Sequence, residues 1–338
     1  MQSRSLGVTQ PLMLRTYGPG CDGNTIDAAH EQRIPDGATW IDLEEPTRDE
    51  DKLVERCVGL QVPTRDDMAE IEPSSRLYES NGALYMTLSA LYGVEDGHPK
   101  SDPLTFVLTK DRLVTVRYVT PKPVRAFQQN ARRDPALVQD SLIALHNLLD
   151  AIIDRLADEL EIAATEFERI SAQIFRERSD ARRIPAEKLT ALLTRIGRAQ
   201  TLIAKIRETS VSTSRLLSFL LGSGRFSSDA TAPLRDRIGS LSNDVRSLVD
   251  YSSYLGDNFT FLLDASLGLI SIEQNAAMKV FSWVAVVLMP PTLLAGVWGM
   301  NFRHMPELQE VWGYPVALGS IAVSAVLPFF ILKRLGWI

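Results

Sequence analysis

The amino-acid sequence predicts an α+β membrane protein, with an N-terminal cytoplasmic α/β domain over residues 1–139, a cytoplasmic long-helix and stalk region over 140–279, and a transmembrane hairpin over 280–338. Three observations predict it. Runs rich in Val, Leu, Ile, Thr and Tyr punctuate the first part, apolar residues at helical spacing fill the middle, and two uncharged apolar runs lie near the C-terminal end.

Thr39–Leu43, Ala83–Tyr92, Leu104–Thr109 and Leu113–Tyr118 are the strand candidates, and Lys110-Asp111-Arg112 between the last two suits a tight hairpin. Between the first two, Asp49–Val58 reads as a helix entered through Pro46-Thr47, with Thr47 placed to cap it. From Asp140 onward Leu142, Leu148, Leu149, Ile152, Ile153 and Leu156 repeat at helical spacing while charges fill the other face. Pro185 and the Gly222-Ser223-Gly224 turn divide this region into helices over roughly 140–180 and 186–220. A third helix starts near Pro233 with Thr231 as its cap, and only Gly239, Gly256 and Gly268 interrupt its pattern before Pro290. A glycine weakens a helix by about 1 kcal/mol relative to alanine, so one rod running from the cytoplasm into the membrane is expected.

The apolar runs are Val280–Trp298 and Tyr314–Leu332, neither with a charged residue. Each is about nineteen residues, enough to cross ~30 Å of hydrocarbon as a helix. Lys279 precedes the first and Lys333 with Arg334 follow the second, whereas Arg303 is the only Lys or Arg between them, so both termini are expected to be cytoplasmic. Met1–Leu14 has no apolar core of signal-peptide length.

Composition narrows the function classes. Mean hydropathy of −0.03 fits a mostly water-facing chain carrying a small membrane part. A net charge of −6 argues against a nucleic-acid partner and suits attraction of cations. Cys21 and Cys57 lie far apart and form no CxxC, which fits reduced thiols rather than a disulfide or zinc site. There is no GxxxxGK[ST], HExxH or GxSxG sequence, and the histidines are scattered, so no enzyme signature and no cofactor emerge.

A single hairpin cannot enclose an aqueous path, so conduction would need several copies around an axis. On the first span Asn275, Met278, Phe281 or Ser282, Ala285, Met289, Thr292 and Gly296 recur three or four residues apart. Such a stripe is either a packing and lipid face or the lining of a hydrophobic constriction that closes by dewetting. Pro290 and Pro291 in mid-span imply a local kink, whether as a bend between packed helices or as backbone opened toward water. Gly299 and Asn301 could simply end a helix, since both residue types tolerate the left-handed conformation.

The wider segment adds more. WGMNFRHMPEL from Trp298 to Leu308, followed by WGYP at Trp312–Pro315, closely resembles the GMN signature and loop of the CorA family of magnesium channels. The first span NAAMKVFSWVAVVLMPPTLLAG, the C-terminal KRLGWI, and the N-terminal WIDLEEP and EIEPSSRLYE segments are similar to that family in the same order. Trp298 stands where Tyr is usual, and Gln309-Glu310-Val311 replaces a basic and an aromatic residue.

The resemblance implies a homopentameric funnel in the inner cell membrane that admits magnesium, with cobalt or nickel as further ions, and has lipid, divalent cations and its own copies as partners. It implies that Gly299, Met300 and Asn301 form the outer mouth, and that Asn275, Met278, Phe281, Met289 and Thr292 line the pore, Phe281 replacing an aliphatic residue. Glu307 and Glu310 in the loop are either cation attractors or solvated charges. It further implies closure by cytoplasmic magnesium held by carboxylates between subunits. Glu70 matches one such position; counting back from Asn301 reaches Ser240 for its partner, so Asp236 and Asp244 one turn to either side are the substitutes. A related two-span branch that moves zinc departs from GMN and lacks MPEL. A membrane-anchored sensor or scaffold is the alternative from another class.

Overall fold

The computed structural model describes residues 14–70, 72–179, 186–226, 231–300, 305–306 and 310–334. It divides into two compact units, Met1–Leu263 and Asp264–Ile338.

The first unit is built on a seven-stranded sheet. Its strands are β1 (Leu14–Gly18), β2 (Cys21–Thr25), β3 (Trp40–Glu44), β4 (Leu77–Ser80), β5 (Ala83–Tyr92), β6 (Lys100–Leu108) and β7 (Leu113–Arg117), in the spatial order β2-β1-β3-β7-β6-β5-β4. All neighbours are antiparallel except β3 and β7, which pair in parallel from Trp40↔Leu113 to Glu44↔Arg117. The expected β6–β7 hairpin is present, closed by Thr109 N donating to Arg112 O at 2.9 Å.

Between β3 and β4 the chain forms α1 (Arg48–Val58), α2 (Arg65–Ala69) and α3 (Pro73–Arg76). Thr47 caps α1 as expected, and Glu50 completes a capping box. The same Glu50 carboxylate accepts from the N–H of Leu14 at 3.1 Å, so one side chain ties the helix start to the first residue of β1. Gly59 ends α1 at φ 77°, a conformation that costs a residue with a Cβ.

After β7 comes α4 (Lys122–Arg133), which buries Val124, Phe127 and Ala131. Trp40 stacks on Tyr17 with ring centroids 4.4 Å apart and meets Phe127 at 5.1 Å. Beneath these rings Asp42 accepts hydrogen bonds from Thr115 Oγ1 (2.6 Å), Gln128 Nε2 (2.7 Å) and Arg117 Nε and Nη2 (3.2 and 2.9 Å). Arg117 Nη1 also lies 2.9 Å from Glu44 Oε1. Burial alone would raise the Glu44 pKa, but Arg117, Thr120 and Arg15 outweigh it and hold it at about 2.

The long helices are α5 (Ser141–Ser179), α6 (Ala186–Gly222) and α7 (Ala232–Trp298). α5 and α6 are joined side by side by Arg195 Nε on Glu166 at 2.7 Å, and Phe167 of α5 meets Phe259 of α7 edge-on at 5.5 Å. On α7, Ile238, Leu241, Val245, Leu255, Phe259 and Leu262 are buried, a stripe at helical spacing. α6 packs on β5, where Ser89 N donates to Ser212 Oγ at 3.1 Å.

The second unit holds the end of α7 and a further helix, α8 (Gly313–Arg334). Pro290 and Pro291 lie inside α7 and Pro328 inside α8, and each helix is assigned without a break. Both are long and apolar enough to cross a membrane, with a best-window mean hydropathy of 1.9 for α7 and 2.2 for α8.

Candidate functional site

Two faces run along the membrane-length part of α7. Trp283, Val287, Pro290, Pro291, Leu294 and Trp298 form a partly sheltered stripe. Asn275, Met278, Phe281, Met289 and Thr292 are all exposed, with Phe281 at 76%, Met289 at 69% and Met278 at 66%. The structure leaves the residues of the expected stripe exposed together with most of this span, including Val284, Val286, Leu288, Leu293 and Val297.

The few hydroxyls there are turned inward. Ser282 Oγ donates to Met278 O at 2.8 Å and Thr292 Oγ1 to Leu288 O at 2.7 Å, so both are satisfied by their own helix. With no charged group from Val280 to Trp298, the exposed face offers a passing ion few fixed ligands.

The end of α7 is tightly closed. Gly299 N donates to Ala295 O at 3.0 Å and Met300 N to Val297 O at 3.3 Å. Gly299 does not adopt the left-handed conformation that would make it an ordinary helix terminator. Its special feature is proximity, because a Cβ there would lie 3.0 Å from Ala295 O. Met300 is half exposed. Asn301 and Glu307 lie outside the described residues. Glu310 is exposed, and its carbonyl accepts from Gly313 N at 3.0 Å where α8 begins.

In the first unit, Glu70 is an exposed residue at the end of α2, and Asp236 and Asp244 are exposed on α7. Among the described residues no three His, Cys, Asp or Glu side chains are grouped to hold a metal ion. Glu70, Asp236 and Asp244 thus make no complete site within one copy. Asp244 does have acidic company: burial, together with Asp150, Asp158 and Asp244, raises the pKa of Asp154. The spacing of Asp150, Asp154 and Asp158, four residues apart on α5, was visible in the sequence, but the nearness of Asp244 to Asp154 was not. Cys21 and Cys57 are free thiols.

The comparisons with known proteins decide the family. Residues 35–334 match the family model described as CorA-like Mg2+ transporter protein. The chain belongs to the CorA family. Its curated CorA relatives include "Magnesium transport protein CorA" of Yersinia pseudotuberculosis, 30% identical over 299 residues, which cover 88% of this chain and 92% of that one. The protein of the same name from Escherichia coli is 30% identical over 301 residues, covering 89% and 92%. The CorA fold is likewise shared with the complete structure of the CorA magnesium transporter from Methanocaldococcus jannaschii, at a TM-score of 0.74 and 19% identity, over 98% of this chain and all of that one.

Proposed function

We propose that the protein carries magnesium across a cell membrane, as a channel formed by a homopentamer, with α7 lining the path and α8 outside it. The observation that carries this reading is the uncharged, uncovered stripe of Asn275, Met278, Phe281, Met289 and Thr292, ending at Gly299 and Met300 in a chain of the CorA family. Cobalt and nickel are candidate further cargoes, and both termini are placed in the cytoplasm by the flanking basic residues.

Magnesium holds an octahedral water shell at about 2.0–2.1 Å and dehydrates reluctantly. A mouth of neutral oxygens, with Asn301 supplying a ring of amide oxygens that accept hydrogen bonds from the ion's water shell, recognises such an ion through its water. Fixed carboxylates would hold it longer and slow release. Below the mouth, Met289, Phe281 and Met278 offer an apolar constriction that water leaves when it narrows. At ~2.3 kcal/mol per charge per 100 mV, a divalent cation gains roughly 4.6 kcal/mol on entering a negative interior, so no nucleotide is required. Glu307 and Glu310 raise the local cation concentration outside. Closure by internal magnesium is assigned to Glu70 of one copy with Asp236 or Asp244 of the next, in keeping with their exposure and with the acidic surroundings of Asp244.

The test is ion entry into proteoliposomes holding the purified protein, with and without an inert hexaammine complex of hydrated-magnesium size, alongside Asn301→Ala. Magnesium entry blocked by the complex and lost in the variant is the expected result. Zinc entry without magnesium entry would replace this reading with zinc transport, and no entry in folded oligomers would replace it with a membrane-anchored sensor or scaffold.

A further inference from the structure

In the first unit a groove of about 640 Å³ opens between α6 and the edge of the sheet at β4 and β5. Arg76, Arg207 and Arg215 line it, above the hydroxyls of Thr87, Ser89 and Ser212. Arg207 and Arg215 are eight residues apart on α6, about 12 Å along the helix axis. Both are exposed, and among the described residues neither forms an ion pair.

Arg76 is held in place. Its Nε donates to Glu70 O at 2.6 Å and its Nη1 to Ser89 Oγ at 3.2 Å. Ser89 Oγ receives that bond and Ser212 Oγ receives one from Ser89 N, which leaves both hydroxyl protons to donate elsewhere. The one acid in the groove, Glu208, is already engaged by Lys205 Nζ at 2.8 Å and Ser101 Oγ at 2.9 Å. The groove thus gathers three guanidinium groups and unspent hydroxyl donors against a single carboxylate, Glu208, which Lys205 and Ser101 hold and which Arg76 also helps keep ionised.

Guanidinium groups meet phosphate oxygens through paired, charge-assisted hydrogen bonds. Two linked phosphates present more oxygens over a longer reach than one, so arginines on separate turns of α6, with Arg76 across the groove, can each take a different phosphate group. We propose that this groove binds a small anion carrying two or more phosphate groups. The groove touches the transport reading only where Arg76 bonds the Glu70 carbonyl, and binding measured without ion flux separates the two.

The experiment is calorimetric titration of the full-length protein in detergent with inorganic pyrophosphate in metal-free buffer, repeated with orthophosphate. Saturable pyrophosphate binding that falls with added salt is expected. Arg207→Gln/Arg215→Gln should weaken it by at least about tenfold, since each lost charge-assisted hydrogen bond is substantial. Arg207→Lys/Arg215→Lys, which keeps the charge and the fold, should retain part of it, and Arg198→Gln on the same helix outside the groove should leave it unchanged. Absence of saturable binding, equal loss in Arg198→Gln, or orthophosphate binding as tightly as pyrophosphate would overturn the proposal. So would a smaller species of the double glutamine variant on size exclusion, because the arginines would then be contacts to a second copy.

Discussion

Asp42 Oδ2 lies 2.9 Å from Arg117 Nη2 with both side chains fully buried, and the two residues stand on adjacent parallel strands, Asp42 opposite Thr115 and Arg117 opposite Glu44. Removing one partner leaves the other charge without compensation in the middle of the sheet. Arg117→Ala and Asp42→Ala should each cost about 3–5 kcal/mol. The double variant Asp42→Leu/Arg117→Met should cost less than the two losses added together. Chemical denaturation followed by circular dichroism reads all three.

Asp51 supplies a pH signature. Its Oδ1 is buried with no hydrogen-bond partner among the described residues, and burial together with Glu55 and Glu50 raises its pKa from 3.8 to about 6. A raised carboxyl pKa makes the protonated form the one that suits the fold. Its contribution is therefore complete below pH 3.8 and lost as pH rises through about 6. Asp51→Asn should remove that dependence and add about 1–2 kcal/mol at pH 7, after discounting for partial exposure. Melting curves between pH 4 and 8 test it; identical slopes for the two proteins would reject it.

At the end of α7, Gly299→Ala places a methyl 3.0 Å from the backbone oxygen Ala295 O, whereas at Gly296 no side chain or other element lies within 4 Å of a Cβ. Magnesium entry into proteoliposomes should drop at least about tenfold in Gly299→Ala, as misplacing a binding group by a few tenths of an ångström disturbs the shared geometry. Gly296→Ala should stay near the unaltered rate. Equal rates in both variants would separate the glycine from the mouth.

Met278→Ala and Met289→Ala remove exposed bulk from the uncovered face of α7. A constriction that closes by dewetting needs that bulk. Both variants should leak magnesium when internal magnesium is high, while unaltered closure would assign these residues to lipid or packing contacts.

Asp244→Asn has two separable readouts. Removing one of the charges around Asp154 should lower the Asp154 pKa toward its ordinary range, seen in a carboxylate titration by NMR. In flux assays it should weaken closure by internal magnesium. The titration shift without the flux change would keep the acidic contact and dismiss its regulatory role.

How much of this was legible beforehand depended on how local the cause was. β5 at Ala83–Tyr92, the Thr47 cap and the limits of α5 and α6 follow from signals within a few residues, and they were readable. β2 was not, because Asp22, Gly23 and Asn24 are poor strand formers that are held by pairing with β1. α4 was also missed: KPVRAFQQNARR is mostly polar, and its buried face is defined by Trp40 and the sheet beneath. β6 begins at Lys100 rather than Leu104, since Lys100-Ser101-Asp102-Pro103 pairs with Tyr92–Ser89 despite its polar composition. At the site, the period of the α7 stripe was visible in the residues. The arginine groove was not, as Arg76 and Arg207 meet only through the packing of α6 on β5.

The uncovered stripe of α7 also has a genetic consequence. Under the proposed assembly, a path closed by identical copies would be vulnerable to its own alleles. One chain altered at Met289 or Gly299 but still able to assemble would enter rings otherwise made of sound copies and impair them all. Damage at these positions should then be dominant over a normal copy of the gene, whereas damage to Asp42 or Arg117, which lowers the share of folded chain available to assemble, should be recessive.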